Sequence, residues 1–377
     1  MIRTEPDTVI YIFAPSHIVT GGIEAVHQLV DKLRKFGHDA RIVPLPVVKN
    51  PTLLQYRNYE VAFAASVDDN PRNILITTEV NPKLLDHYRF IQKALWWLSV
   101  DNHEDLAEKF DFADSRNQDI LHFAQSAYAR AFLRQKGVET IHDLSDFLHT
   151  TYLNTSKRRG RIDAILYTPV KGAQEHVNRL RKADPSLQWL PLKGMIRKHH
   201  ARTLSHGKVY VDFGRHPGKD RQPREAAING CCVIVGLLGS ARFEEDIPIA
   251  SAYKFSVELL DERRILETIR SCLFDYETRR ADFEGYAEII RQEENRFEQE
   301  VVAIFGVKSW RQRSPQLISL FNTLRYVREN HPLQAARGLA NELLPLDMIL
   351  FAKRLYSDYN AKLLPSFRAG KRGSDKP

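Results

Sequence analysis

The stretch Lys208–Gly236, KVYVDFGRHPGKDRQPREAAINGCCVIVG, gathers the residues best suited to chemistry. An apolar strand ends at Gly214, and the loop after it holds Arg215, His216, Gly218, Lys219, Asp220 and Arg221. Pro223 stands where a helix would take its first residue, since proline lacks the N–H that such a position leaves free. Arg224 and Glu225 fall in that first turn, and Gly230 ends the helix before a second apolar strand. A helix start offers unpaired N–H groups and the positive end of the dipole, so with these cations it suits a phosphate or carboxylate.

Two further groups of residues stand at strand ends. In LWWLSVDNHEDL, Asp101, Asn102 and His103 follow an apolar strand, as groups at a cleft edge or as a cap for a helix starting near Glu104. In HIVTGGIEAV, Gly21 and Gly22 permit close backbone approach to a ligand, although a plain strand-to-helix turn explains them as well. Trp96 and Trp97 read as core and interdomain packing. His199 and His200 read as a partly exposed helical pair, with no neighbouring cysteine or spaced acids to make a zinc site.

The elements that must position these residues repeat one pattern. Thr8–Pro15 reads as a strand, Ile23–Phe36 as a helix stopped by Gly37, and Asp39–Leu45 as a strand, which is a βαβ unit and hence a parallel sheet. Further strands are expected at Asn73–Thr78, Ala94–Val100 and Asp119–Ala124, with a helix over Ser126–Lys136. A polar, basic stretch, Thr150–Arg161, reads as a linker. A second α/β series follows: strands Asp163–Thr168, Gln188–Leu192, Lys208–Phe213 and Cys231–Val235, then helices over Arg264–Asp275 and Thr278–Phe305. The fold class is therefore α/β, with two Rossmann-like parallel-sheet domains and C-terminal helices. The expected boundaries are 1–155, 156–305, and a helical basic segment 306–377.

A chain of 377 residues with 43% hydrophobic and 27% charged residues is long enough for two cores and too apolar for general disorder. Three cysteines, Cys231, Cys232 and Cys272, form no disulfide framework and suit a reducing, cytoplasmic setting. The start of the chain lacks the basic residues and long apolar run of a signal peptide, and no stretch approaches the ~20 apolar residues of a spanning helix. The formal charge of +8 resides in residues 306–377, which carry 13 Lys/Arg and 5 Asp/Glu. Leu343–Leu364 interleaves apolar residues with Lys353, Arg354 and Lys362, and RAGKRGSDKP follows. This tail reads either as a peripheral contact with anionic membrane or as helices packed back on the N-terminal domain. With no RNA- or DNA-binding signature, nucleic acid is not an expected partner.

The loop, the Pro-Arg-Glu-Ala-Ala helix, the glycine and the apolar strand of Lys208–Gly236 resemble the donor-binding helix of the retaining GT-B glycosyltransferases. That resemblance implies two domains facing a cleft and a nucleotide-sugar donor as substrate. It implies that Glu225 matches the second glutamate of the family's Glu-x7-Glu element and holds the donor ribose. The first glutamate would fall at Pro217, which leaves the sugar to His216, Lys219 or Asp220. In YTPVKG, Lys171 and Gly172 resemble the family's Lys-Gly turn at the donor pyrophosphate, with Arg197, Arg215 or Arg221 supplying a second charge. Gly21 and Gly22 resemble its first glycine loop, and Asp101 or His103 stands where related enzymes set an acid or histidine against the transferred sugar. Arg224, beside Glu225, joins the donor-binding set.

The function these features imply is transfer of a sugar from a nucleotide-diphosphate sugar to a glycan or lipid-linked acceptor in cell-surface polysaccharide biosynthesis. The departing diphosphate gains charge, and Lys171, Lys219, Arg221 and the helix start would stabilise it without a metal or other cofactor. Alternatives of other classes are an epimerase of the same fold and a non-catalytic binding module in a polysaccharide assembly complex.

Overall fold

A computed structural model describes residues 2–343 except 49–50, 52, 155–159, 171, 260, 311–313 and 331. Two parallel sheets organise it. The first contains β1 (Val9–Pro15), β2 (Asp39–Leu45), β3 (Ile74–Thr78), β4 (Gln92–Trp97), β5 (Leu121–Ala124) and β6 (Ile141–Asp143), in the order β2-β1-β3-β4-β5-β6. Helices α1 (Gly21–Lys35), α2 (Val100–Glu104) and α3 (Ala127–Gln135) accompany it, while α4 (Thr150–Leu153), the next in the chain, sets Tyr152 into the core of the second sheet. The second contains β7 (Ile162–Tyr167), β8 (Gln188–Pro191), β9 (Gly207–Asp212), β10 (Cys232–Gly236) and β11 (Lys254–Phe255), in the order β11-β10-β9-β7-β8. Its helices are α5 (Ala173–Ala183), α6 (Arg197–Leu204), α7 (Arg221–Ile228), α8 (Glu262–Phe274), α9 (Tyr276–Arg279) and α10 (Glu284–Arg291). The chain then runs through α11 (Glu293–Phe305), α12 (Pro315–Glu329) and α13 (Pro332–Leu343).

The strands are apolar on both faces because both faces are covered. Ile10 and Ile12 of β1 pair in register with Ile74 and Ile76 of β3, and Ile165 of β7 pairs with Val209 of β9; all six are inaccessible to solvent. In each sheet the order reverses beside the first strand, between β1 and β3 and between β7 and β9. Ligands of such sheets collect beyond the carboxyl ends of the strands at that reversal.

Helix α1 shows how local chemistry sets one of these ends. Thr20 caps it, accepting from the Ile23 N–H, while Ile23, Val26, Leu29, Val30 and Leu33 face the core. Gly21 and Gly22 are its first two residues rather than part of a preceding loop. Gly37 follows at φ 85°, with Ser309 so close that any side chain there would collide.

Several expected boundaries shift. Helix α7 starts at Arg221, two residues before Pro223. Proline is tolerated there because the first four N–H groups of a helix are free in any case. The strand β6 and the short helix α2 carry too few residues to declare a period. The span 278–305, expected as one helix, is α9, a 3₁₀ turn, α10 and α11, and the turn carries Phe283 inward against Tyr253. Trp96 and Trp97 are core residues. Helix α11 places Phe297, Val301 and Phe305 in the core of the first sheet, so the chain returns to that sheet after building the second.

Candidate active site

The carboxyl ends of the two sheets face each other, and the loop after β9 is pinned on all sides. Asp212 accepts from the Gly214 N–H and from the Tyr210 hydroxyl. The His216 carbonyl accepts from the Ser240 N–H, and Ser240 Oγ donates to the Gly218 carbonyl. His216 Nδ1 lies 3.1 Å from Asp220 Oδ2, and Asp220 is the N-cap residue of α7. Gly218 meets the first domain so closely that a Cβ there would stand 1.8 Å from the Leu98 carbonyl oxygen. Only glycine fits that approach.

Across this contact lies a buried ionic cluster. Glu24, in the first turn of α1, accepts from Tyr59 through one oxygen and from Arg197 and Arg221 through the other. Arg221 also donates through Nε and Nη2 to Asp146 at 3.1 and 3.0 Å. Arg224 is fully enclosed: Nη2 meets both Asp146 oxygens at 2.8 and 3.1 Å, and Nη1 meets Glu293 at 2.9 Å. Lys219 Nζ lies 3.1 Å from the other Glu293 oxygen. Buried cations persist only with such partners, since an unpaired charge out of water is heavily penalised. Burial works against ionisation of Glu24 and Asp146, but Arg221 and its neighbouring arginines outweigh it and hold both carboxyls below their ordinary range.

Glu225 differs from these carboxylates. It is 6% exposed, and its Oε2 has no hydrogen-bond partner among the described residues. His200 Nδ1 is 3.6 Å away, beyond hydrogen-bonding distance, and lies 3.1 Å from the Tyr152 hydroxyl. Burial pushes the Glu225 carboxyl up to about 7 and the His200 imidazole down to about 4. The cluster sets the four cations Arg197, Lys219, Arg221 and Arg224 against the carboxylates of Glu24, Asp146 and Glu293.

The structure brings together some of the residues picked out on sequence and separates others. Gly21 lies against the Arg221 side chain, 3.1 Å from where its Cβ would be, so the first glycine loop meets the start of α7. Arg215 is half-exposed and pairs with Asp105 of the first domain at 3.0 Å. Asp101 accepts from the Tyr128 hydroxyl at 2.6 Å. His103 is corrected: it is 1% exposed, its Nε2 accepts from the Phe110 N–H, Nδ1 lies against Glu104, and its ring packs on Trp97. A histidine so enclosed is a packing residue. Arg224 spends its guanidinium nitrogens on Asp146, Glu293 and the Lys219 and Asp220 carbonyls, as Arg221 spends its own on Glu24 and Asp146. His199 and His200 are buried rather than partly exposed. Lys171 lies outside the described residues.

Sequence reasoning missed Glu24, Asp146 and Glu293, which are ordinary acids until the fold sets them against arginines. It also missed Glu79 at the end of β3, whose Oε2 accepts from the Leu98 N–H at 2.8 Å and whose carboxyl burial pushes up to about 8. Asp246 was missed as well: its oxygens accept from the Ala127 and Tyr128 N–H groups, so a residue of the second domain occupies the start of α3 in the first. No signal short of the fold marks these residues.

No family model matches the sequence, and no curated protein does. Solved structures do resemble it. Anabaena HepE in complex with UDP and glucose aligns with a TM-score of 0.54 and 11% identity, over 79% of this chain and 99% of that one. Sucrose-phosphate synthase from Thermosynechococcus elongatus aligns with a TM-score of 0.51 and 13% identity, over 85% and 98%. TarM aligns at 0.44 and 14%, over 69% of this chain, which spans 56% of TarM.

Proposed function

The chain has the GT-B fold, two Rossmann-like parallel-sheet domains whose strand ends oppose one another, and we propose from it that the protein is a glycosyltransferase taking a nucleotide-diphosphate sugar as donor. The observation that carries this reading is Glu225. A carboxyl in the second turn of α7, not the first turn expected from the sequence, that is buried and lacks a hydrogen-bond partner for one oxygen is what a donor's ribose hydroxyls would satisfy. HepE, of the same fold, binds UDP and glucose according to its structure, and that likeness supports a nucleotide-sugar donor here.

The chemistry asked of the site is stabilisation of the leaving diphosphate while the sugar becomes oxocarbenium-like. Metal-independent transfer is part of this reading, with the cations of Lys219 and Arg221 and the N–H groups at the start of α7 as its support. Asp101 remains the candidate to face the transferred sugar. The acceptor in this reading is a glycan or lipid-linked saccharide, and the place of reaction is the inner face of a membrane. The basic tail beyond 344, for which the sequence leaves open a membrane contact or packing on the N-terminal domain, lies outside the described residues.

Calorimetric titration with UDP and GDP tests the reading directly. At pH 8, above the value of about 7 at which its carboxyl ionises, Glu225→Ala should weaken nucleotide binding by ~1.5–3 kcal/mol, the scale of hydrogen bonds to a charged group. Transfer should survive EDTA. Unchanged nucleotide affinity in the folded variant would sink the assignment. Donor turnover without any acceptor would favour an epimerase instead.

A further inference from the structure

Helix α12 is oriented the wrong way round for a helix of a globular protein. Such a helix ordinarily turns its apolar stripe to the core and its polar face to water. Here the residue that α12 buries is polar. Asn322 donates through Nδ2 to the carbonyls of Arg57 and Tyr59, which fastens the helix to the first domain. Leu317, Leu320, Phe321, Leu324 and Val327 are instead 53, 52, 66, 55 and 41% exposed. Their spacing of three and four places them on one face. Arg328 is exposed at the end of that face, and the sole acid of the helix, Glu329, is mostly buried. Trp310, shortly before α12, is 68% exposed.

We propose that the outward face of α12 docks the protein onto an anionic lipid bilayer. An apolar stripe edged by arginine and preceded by an exposed tryptophan has the composition of a helix that lies in the plane of a membrane interface. The surrounding charge selects this occupant over a second copy of the chain. Residues 306–343 carry six Lys/Arg against two Asp/Glu, and residues 344–377 carry seven against three. Two copies meeting face to face would bring these excesses together, whereas an anionic surface attracts both. The proposal moves the membrane contact from the tail to a described surface. It deepens the transferase reading by naming where a lipid-linked acceptor would be met, and it rests on that reading for the acceptor alone.

Sedimentation of the full chain with phosphatidylcholine vesicles, with and without phosphatidylglycerol, tests it. The protein should sediment with the anionic vesicles, less as salt rises. The triple substitution Leu320→Glu, Phe321→Glu, Leu324→Glu should reduce that binding about tenfold or more, with an unchanged circular dichroism spectrum. Phe321→Trp should retain binding, and its added emission should shift to shorter wavelength on the anionic vesicles. Sedimentation of the triple variant equal to that of the unaltered chain would overturn the proposal, as would indifference of the unaltered chain to anionic vesicles at low salt. A dimer in solution that the triple variant dissolves would assign the face to a second copy and overturn it too. Vesicle binding requires no sugar transfer, so this failure and a failure of nucleotide binding are separate results.

Discussion

The domain junction and helix α12 both invert the usual partition of side chains. At the junction, Glu24, Asp146, Glu293, Arg221 and Arg224 are charged and inside. On α12, five apolar residues are outside while an asparagine is buried. The two inversions differ in what compensates them. Every buried charge named at the junction has an opposite charge within hydrogen-bond reach, so removal of one partner strands another in a dry site. The apolar residues of α12 have water as their neighbour, and exposed side chains of that kind alter stability little when replaced. The junction is thus a region where composition is held by stability, and α12 a region where composition is free of it.

Asp146→Ala should produce the largest effect. It removes the carboxylate that Arg221 and Arg224 share, and the expected loss is ~3–5 kcal/mol of unfolding free energy, read by urea denaturation. A loss within the range of a surface substitution would break the comparison.

Glu225→Gln should act next, and with a pH signature. The folded carboxyl titrates at about 7 against an ordinary value of 4.5. Its contribution to stability is therefore complete below pH 4.5 and is lost as pH rises through 7. The glutamine variant should match the parent near pH 4.5 and exceed it above pH 7 by up to ~3 kcal/mol. Equal stability of the two proteins at pH 8 would show that Glu225 is not held in its protonated form.

Gly218→Ala sharpens the geometric side of the junction. The added methyl group would meet backbone, the Leu98 carbonyl, rather than a side chain able to swing away. The expected loss is ~1–3 kcal/mol, with a larger radius of gyration in X-ray scattering as the domains part. The triple glutamate substitution on α12 should give the smallest effect, within ~0.5 kcal/mol. A larger loss would mean that the face is covered in the folded chain.

Much of this architecture is written in local pattern. Ile10 and Ile12 lie in a run of apolar residues with no polar face, which reads as a strand covered on both sides. Thr20 and Gly37 bracket α1 by capping and by a positive φ. The motif around α7 is visible as a strand, loop, helix and strand, and Gly218 is legible as a residue of that loop. Such features depend on neighbours within a few positions, where backbone geometry and side-chain periodicity act.

What the tertiary structure decided is which charges meet. Arg224 and Asp146 are 78 residues apart, and Arg221 and Glu24 are 197 apart. Nothing within one turn of any of them distinguishes a phosphate-binding arginine from one enclosed by carboxylates, because both need only a cation beside a helix start. His103 illustrates the same point: its position after a strand suits a cleft, but the rings of Trp97 and Phe132 close over it. Helix α12 is the opposite case. Its apolar period is plain in Leu317, Leu320, Phe321 and Leu324, yet a period states which residues share a face and not whether protein, lipid or water will cover it. That is settled by long-range contacts such as the grip of Asn322 on Arg57 and Tyr59, which turn the apolar face outward.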